Sequence, residues 1–200
     1  MAVAGVNAGV NAGESGADMV DVNTRETMGK VDKAWLEMDR ETNLMVINGI
    51  MLFGGKIDYD LLRDLFEEKM IVYFPRFQQR VVTSSPGSNR YFWEDDPYFD
   101  IRSHLWHIAL PEPGDTATLQ KLVCDLMSTA LDPNKPLWRI YLIDNHEGGS
   151  ALFIRLHHCI ADGIAMVQVM LSLTETKAGT SLTPLVEQAP VETPRRGLLL

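Results

Sequence analysis

Residues 151–163 read ALFIRLHHCIADG, and the interpretation of the fold starts from this stretch. Residues 151–158 form a predicted strand, in which neighbouring side chains point to opposite faces. His158 continues an apolar row on one face, whereas His157 lies on the other face with Arg155. The apolar row consists of Leu152, Ile154 and Leu156. The second histidine is therefore expected to point into a core or a cleft.

The residues after the histidine pair predict a turn and a helix. Asp162 is well placed to cap the helix, and Gly163 permits a tight turn. The helix is predicted over residues 163–174, which are almost uniformly apolar and hence buried. The histidines thus lie at the carboxyl end of a strand beside a helix N-terminus, where α/β sheets favour ligand sites.

Strands and helices mix along the rest of the chain. The hydrophobic periodicity predicts strands over residues 45–53, 77–83, 91–94, 101–110 and 137–144, besides 151–158. It predicts helices over residues 31–38, 59–73 and 116–130, besides 163–174. The last two strands are joined by a turn with Gly148 and Gly149. This pattern is typical of a layered α/β sandwich.

The two ends of the chain differ in composition from its middle. Residues 1–30 contain the repeat GVNAGVNAG and are expected to be a flexible extension without the marks of a signal peptide. Residues 31–175 form the predicted domain. Residues 176–200 carry three prolines and predict a linker or a surface crossover. Because the apolar end Leu198–Leu200 looks like the start of another element, we expect the 200 residues to be a fragment.

Composition excludes some classes of function. The net charge of −9 leaves no basic patch for nucleic acid, so no nucleic-acid partner is expected. The chain contains no run of 18 apolar residues, so no transmembrane helix is predicted. Cys124 and Cys159 form neither a disulfide framework nor a metal motif. The simplest interpretation is that the protein works in a reducing compartment.

The histidine pair suits proton transfer. A neutral imidazole can take a proton from a hydroxyl or an amine as that group attacks an ester or a thioester. There is no G-x-S-x-G elbow, so direct transfer without a covalent intermediate fits better than a serine nucleophile. A metal site is disfavoured because adjacent strand residues face opposite ways. The alternative is that the two histidines have only a structural role in packing.

Three segments resemble one family. His157-His158-x-x-x-Asp162-Gly163 matches the HHxxxDG signature of CoA-dependent acyltransferases, which include chloramphenicol acetyltransferase and condensation domains. The stretch WLEMDRETNLM at residues 35–45 is similar to the N-terminal signature of bacterial wax ester synthase/diacylglycerol acyltransferases. Residues 136–138, Pro-Leu-Trp, resemble that family's PLW motif. The resemblance implies the N-terminal half of a chloramphenicol-acetyltransferase-like two-layer α/β sandwich, a mixed sheet with packed helices.

The resemblance also implies roles for residues. His158 would be the general base that deprotonates the acceptor, and His157 would support it. Asp162 would hold the geometry of the motif, and Gly163 would leave room for the substrate tunnel. The substrate-binding residues Pro136, Leu137 and Trp138 would shape or stabilise the site; the alternative is a proline-started strand with a core tryptophan.

The implied reaction moves a long-chain acyl group from acyl-CoA to a fatty alcohol or diacylglycerol. Acyl-CoA would be a co-substrate, and no bound cofactor or metal is expected. The hydrophobic acceptor implies a cytoplasmic enzyme associated peripherally with a membrane or lipid-droplet surface, completed by a second half. Two alternatives stay open: an acyltransferase for a small alcohol, an amine or a carrier-bound thioester, and a catalytically silent half-domain.

Other candidates have simpler interpretations. His104 and His107 are expected to be structural or surface residues on opposite faces of a strand. His146 is expected in a turn, exposed to solvent. Cys159 is expected to be a small core filler, although a cysteine beside the pair can in principle be reactive.

Overall fold

A computed structural model describes residues 25–161, which form seven strands and three α-helices. The strands are β1 Glu26–Thr27, β2 Val46–Phe53, β3 Gln79–Thr83, β4 Tyr91–Asp95, β5 Leu105–Ala109, β6 Trp138–His146 and β7 Gly149–His157. The helices are α1 Lys30–Met38, α2 Tyr59–Phe66 and α3 Thr116–Met127. Within this part of the chain, no helix is both long and apolar enough to cross a bilayer.

The main sheet has four strands in the order β2-β7-β6-β5. Its strands pair antiparallel except for β5 and β6, which are parallel, so the sheet is mixed, as the family resemblance implies. A tight hairpin joins β6 to β7, and Gly148 in its turn has a φ of +80°, which favours glycine. Gly149 is also required, because a Cβ there would lie 2.0 Å from the carbonyl oxygen of Phe53 in β2.

Both faces of the main sheet are covered. One face packs against α2 and buries residues that include Ile140, Leu142, Leu152 and Ile154. The other face packs against α3 and buries residues that include Tyr141, Ile143, Ala151 and Phe153. All nine residues of β7 are buried as a result, which explains why the strand is apolar on both faces.

A smaller sheet, β1-β4-β3, lies beside the histidine end of β7. Its core contains Trp93 and meets Leu137 and Cys159 of the main domain. The buried carboxylate of Glu94 accepts hydrogen bonds from Arg80 and Arg25, at 2.8 and 2.6 Å. These arginines, Arg80 first, hold the pKa of Glu94 below its ordinary value.

The element boundaries differ from the predictions in several places. The predicted strand at residues 77–83 begins with the 3₁₀ turn Pro75–Gln78, and the predicted strand at 101–110 begins with the 3₁₀ turn Ile101–Ser103. The predicted helix over 59–73 is α-helical only to Phe66 and continues as the π-turn Glu67–Ile71. The extension predicted over residues 1–30 is too long, because Glu26–Thr27 form β1 and Met28 is 6% exposed. Residues 1–24 and the helix predicted over 163–174 lie outside the described residues.

The predicted helix over 116–130 ends at Met127, and the buried guanidinium of Arg155 lies against its carboxyl end. The Arg155 guanidinium donates to the carbonyl oxygens of Met127 and Thr129, at 3.4 and 2.6 Å. A cation at a helix C-terminus is also favoured by the helix dipole. Arg155 thus ties β7 to the segment that leads into β6.

The prediction that His146 is exposed to solvent is wrong. Strand β6 continues two residues past its predicted end and pairs His146 with Gly149 across a register shift. His146 is therefore 5% exposed.

Candidate active site

His158 directly follows β7, at the point where the chain turns away from the sheet. Its backbone N–H donates to the carbonyl oxygen of Met45, at 2.9 Å, just before β2. Its ring stacks on the indole of Trp35 in α1, with centroids 4.4 Å apart and planes at 18°. The ring is half-buried, and its Nδ1 has no hydrogen-bond partner within residues 25–161. Helix α1 therefore fixes the orientation of the second histidine.

His157 is the last residue of β7 and is 2% exposed. The backbone N–H of Cys159 donates to its Nδ1 at 3.1 Å, so Nδ1 is the unprotonated nitrogen and a neutral ring carries its hydrogen on Nε2. Burial lowers the pKa of His157, while Asp39, whose Oδ2 lies 3.8 Å from Nε2, opposes that shift. His157 is thus a neutral ring that holds the turn after the strand.

The two histidines face different surroundings. His157 pairs with Val46 in the register of β2 and β7 and lies on the face of Arg155, as the alternation predicts. His158 lies one residue beyond the strand, at the first residue of a turn, so the predicted end of the strand is one residue too long. The contact with Trp35 was missed by the sequence analysis, although Trp35 opens the signature segment 35–45. Asp162 and Gly163 lie outside the described residues.

A pocket of about 290 Å³ lies beside His157. Helix α1 contributes Leu36 to its lining, and Asp39 follows the last residue of that helix. The small sheet contributes Thr83 and Tyr91 among others. Asp39 is positioned by the backbone N–H of Met45, which donates to its Oδ1 at 2.7 Å. Sequence reasoning did not single out Asp39, whose contact with His157 depends on the packing of α1 against the end of β7.

The structure separates the Pro-Leu-Trp triplet onto two sides of the sheet. Leu137 lines the pocket beside His157, and its carbonyl oxygen accepts the His157 backbone N–H at 3.0 Å. Trp138 is 2% exposed in the core on the α2 side. Its indole N–H donates to the carbonyl oxygen of Phe77 at 2.8 Å. Pro136 is buried just before β6.

The prediction that His104 and His107 lie on one strand is wrong for His104, which comes just before β5, while His107 lies within β5. His104 is buried, stacks on Trp138 with centroids 4.6 Å apart, and places its Nδ1 2.9 Å from the Trp138 carbonyl oxygen. Burial lowers the pKa of His104. His107 is exposed and places its Nε2 2.7 Å from a carboxylate oxygen of Asp144.

We expect stability to fall as the pH is lowered below about 6.5, the ordinary pKa of histidine. The pKa values of His104 and His157 are both lowered by burial, so below that pH the unfolded chain binds protons that the folded chain does not. The free energy of unfolding should then decline by at most about 1.4 kcal/mol per pH unit for each histidine. Urea unfolding between pH 8 and pH 5 measures this slope.

A His104→Gln variant is the control for this pH dependence. Glutamine retains an N–H for the Trp138 carbonyl but does not titrate, so the decline between pH 6.5 and 5 should become shallower. Paired carboxylates such as Glu94 do not contribute to the decline in this pH range. The stability that they contribute is lost only below the ordinary glutamate pKa of about 4.3. An unfolding free energy that is constant from pH 7 to 5 would contradict the prediction.

Cys159 is a core residue, as the sequence analysis expects. It is 1% exposed, and burial, followed by the nearby Asp32 carboxylate, raises the pKa of its thiol. Thiolate chemistry is therefore suppressed. Within residues 25–161, no group of three or more histidine, cysteine, aspartate or glutamate side chains is arranged to hold a metal.

We expect only Cys124 to react with a thiol reagent in the folded protein, because Cys124 is exposed and Cys159 is buried. Titration with a chromogenic disulfide at pH 8 should count one fast thiol, and a second should appear in 6 M guanidinium. A Cys124→Ser variant should show no fast thiol. Fast labelling of that variant would show that Cys159 is accessible.

Known proteins resemble this chain in both sequence and fold. The sequence profile of the wax ester synthase/diacylglycerol acyltransferase catalytic domain matches residues 28–199. O-acyltransferase WSD of Acinetobacter baylyi is 30% identical over 162 residues, which are 77% of this chain and 34% of that protein. The wax ester synthase/diacylglycerol acyltransferase of Marinobacter aquaeolei VT8 superposes with a TM-score of 0.59 at 28% identity, over 74% of this chain and 36% of that one.

Condensation domains share the fold. The starter condensation domain of rhizomide synthetase RzmA superposes with a TM-score of 0.60 at 14% identity, over 74% of this chain and 36% of that one. The predicted chloramphenicol-acetyltransferase-like α/β fold is thus confirmed. This chain spans only about a third of the length of the Acinetobacter and Marinobacter proteins. Its sequence match, covering most of its residues, shows that the chain belongs to the wax ester synthase/diacylglycerol acyltransferase family of O-acyltransferases.

Proposed function

We propose that this chain supplies the catalytic histidine for transfer of a long-chain acyl group from acyl-CoA to a fatty alcohol or a diacylglycerol. The products are a wax ester or a triacylglycerol, and free CoA. The observation that supports the proposal most directly is the position of His158. This residue directly follows a buried strand, its side chain is half-buried, and its ring stacks on Trp35. Membership of an O-acyltransferase family supports the same reaction.

In the proposed mechanism, neutral His158 accepts the proton of the acceptor hydroxyl as its oxygen attacks the thioester carbonyl carbon. A carbon–oxygen bond forms, the carbon–sulfur bond breaks, and His158 returns the proton to the CoA sulfur. Acyl-CoA is a co-substrate, and the scheme needs no resident cofactor or metal. His157 supports the site as a buried, neutral ring bonded to the turn that follows it.

Asp162 and Gly163, which lie outside the described residues, have supporting roles in the proposed site. Asp162 holds the geometry of the motif, and Gly163 leaves room for substrate. The acyltransferase domain spans residues 31–175, and residues 176–200 lead towards a second half. The enzyme works in the cytoplasm and binds a membrane or lipid-droplet surface peripherally, because its acceptors are lipids.

The test is ester formation from a radiolabelled long-chain acyl-CoA and 1-hexadecanol or diacylglycerol in detergent micelles. Two proteins are compared: the 200-residue chain, and a chimera in which it replaces the matched segment of the Marinobacter synthase. We expect labelled ester with long-chain acceptors and none with ethanol or short amines. A folded chimera that makes no ester, together with an inactive chain, would refute the proposal.

One observation favours a second candidate, a half-domain that is silent on its own. The chain covers only about a third of the relatives' length, so the relatives have much further sequence with which to build a site. If the half-domain proposal is right, the chimera turns over and the isolated chain does not. Comparable turnover by both proteins would eliminate it.

A further inference from the structure

The segment that runs from helix α1 to the start of β2 contacts His158 at two separate points. The indole of Trp35 stacks on the His158 ring, with centroids 4.4 Å apart. The carbonyl oxygen of Met45 accepts the His158 backbone N–H at 2.9 Å. Because the first contact holds the ring and the second holds the backbone, this one segment restrains both parts of the residue.

Asp39 lies between these two points, directly after α1. Its Oδ1 accepts the backbone N–H of Met45 at 2.7 Å, a hydrogen bond strengthened by the carboxylate charge. Met45 therefore donates to Asp39 and accepts from His158. The other carboxylate oxygen of Asp39 lies 3.8 Å from the Nε2 of His157, which is beyond hydrogen-bond distance. The bond to Met45 is thus the closer of the two contacts through which Asp39 can act on the histidine pair.

Helix α1 is attached to the rest of the protein without a fully buried side chain. None of its nine residues is buried, and its apolar residues Val31 and Met38 are 68% and 45% exposed. Trp35 and Leu36 are only half-buried. Most helical stability in proteins comes from packing of an apolar face, so α1 gains little from burial and depends on specific contacts. A change at Trp35 or Asp39 is therefore expected to move His158 while the main core stays folded.

We propose that Trp35 and Asp39 are positioning residues for the base His158. Trp35 sets the plane of the His158 ring, and Asp39 sets the His158 backbone through Met45. The expected loss of turnover rests on the proposed function, whereas the positioning itself is measurable without any reaction. A base must lie within hydrogen-bond reach of the proton that it removes, and a misplacement of about 1 Å can cost about 10²-fold in rate.

The first experiment removes the aromatic face with Trp35→Leu, which keeps an apolar side chain. In whichever protein makes ester, the chain or the chimera, kcat with 1-hexadecanol should fall at least about tenfold, while KM changes by less than about twofold. Trp35→Phe retains a ring that can stack, so it should recover most of the lost rate. Trp106→Leu is the matched control. Trp106 is 42% exposed on β5, and its replacement should leave kcat unchanged.

Two substitutions separate the two ways in which Asp39 can act. Asp39→Asn keeps an oxygen for the Met45 N–H but removes the charge beside His157, whereas Asp39→Ala removes both. If Asp39 acts through Met45, the alanine variant should lose at least about tenfold in kcat and the asparagine variant should retain most of it. Equal losses in the two variants would overturn the assignment to Met45.

Nuclear magnetic resonance of the 200-residue chain tests both contacts without substrate. Protons above the face of an indole are shifted upfield, so Trp35→Leu should move the ring signals of His158 downfield, and Trp106→Leu should not. Asp39→Ala should speed hydrogen exchange of the His158 backbone N–H at least about tenfold, because the Met45 carbonyl is held less firmly. Asp39→Asn should keep that N–H protected. Urea unfolding of each variant confirms that folded protein is compared.

The two kinds of measurement distinguish failure of this inference from failure of the proposed acyl transfer. Ring signals and N–H exchange of His158 that Trp35→Leu and Asp39→Ala leave unchanged would overturn the positioning roles. So would full kcat in both variants of an active protein, even if the signals of His158 move. If neither the chain nor the chimera makes ester, the proposed acyl transfer fails, and the spectra alone decide whether Trp35 and Asp39 position His158.

Discussion

Replacing His158 by alanine lowers the rate of ester formation by at least about 10²-fold, because general-base catalysis typically contributes 10²–10⁴-fold. The measurement is turnover of labelled acyl-CoA with 1-hexadecanol, in whichever protein is active, the chain or the Marinobacter chimera. His158→Gln should be equally impaired, because glutamine keeps hydrogen-bonding atoms but cannot accept a proton at neutral pH. The effect should appear in kcat, since the proton moves in the chemical step.

Controls separate a lost base from a lost fold. The alanine variant removes the stack on Trp35, a contact worth roughly 0.5–1.5 kcal/mol, so its unfolding midpoint is measured beside its activity. His107→Gln is a matched control, because His107 is an exposed histidine of β5 that pairs with Asp144. Its turnover should equal that of the unmodified protein. A His158→Ala protein that retains the full rate would refute the assignment of the base.

The main sheet was predictable because its strands carry an unambiguous signal. Strands β6 and β7 are apolar on both faces and are joined by a turn with paired glycines, and the predicted bounds are correct to within two residues. The fold class follows from such long, continuous patterns. The same reasoning wrongly started the predicted strand at Phe77, whereas β3 begins at Gln79 after a 3₁₀ turn. A short 3₁₀ turn has no hydrophobic periodicity by which the sequence could reveal it.

The histidine pair was also recognisable, but its surroundings were not. Alternation along β7 correctly put His157 on the face of Arg155. The stack of His158 on Trp35 joins residues 123 positions apart, and the approach of Asp39 to His157 spans a similar distance. Such contacts depend on how α1 packs against the end of the sheet, and no local pattern encodes that packing. His146 was misjudged for a related reason, since the register shift in the hairpin buries it.

Replacing Trp138 by alanine should destabilise the protein by about 3–5 kcal/mol, the usual cost of truncating a large buried aromatic residue. Trp138 is 2% exposed, stacks on His104, and donates its indole N–H to the Phe77 carbonyl oxygen. The substitution opens a cavity and leaves that carbonyl without its partner. Domains of 5–15 kcal/mol total stability lose a large fraction of it through such a change, so chemical denaturation should show a clear shift of the midpoint.

This variant also decides between the two interpretations of the Pro-Leu-Trp segment. If Trp138 is a core residue, Trp138→Phe should recover most of the stability and leave KM for the acyl acceptor unchanged. Trp106→Ala is the matched control, because Trp106 lies on the opposite face of the sheet and is 42% exposed; it should cost much less. A Trp138→Ala protein with normal stability and a raised KM would instead make Trp138 a substrate-binding residue. We expect the first result, because the pocket beside the histidine pair is lined by Leu137, while Trp138 packs on the other side of the sheet.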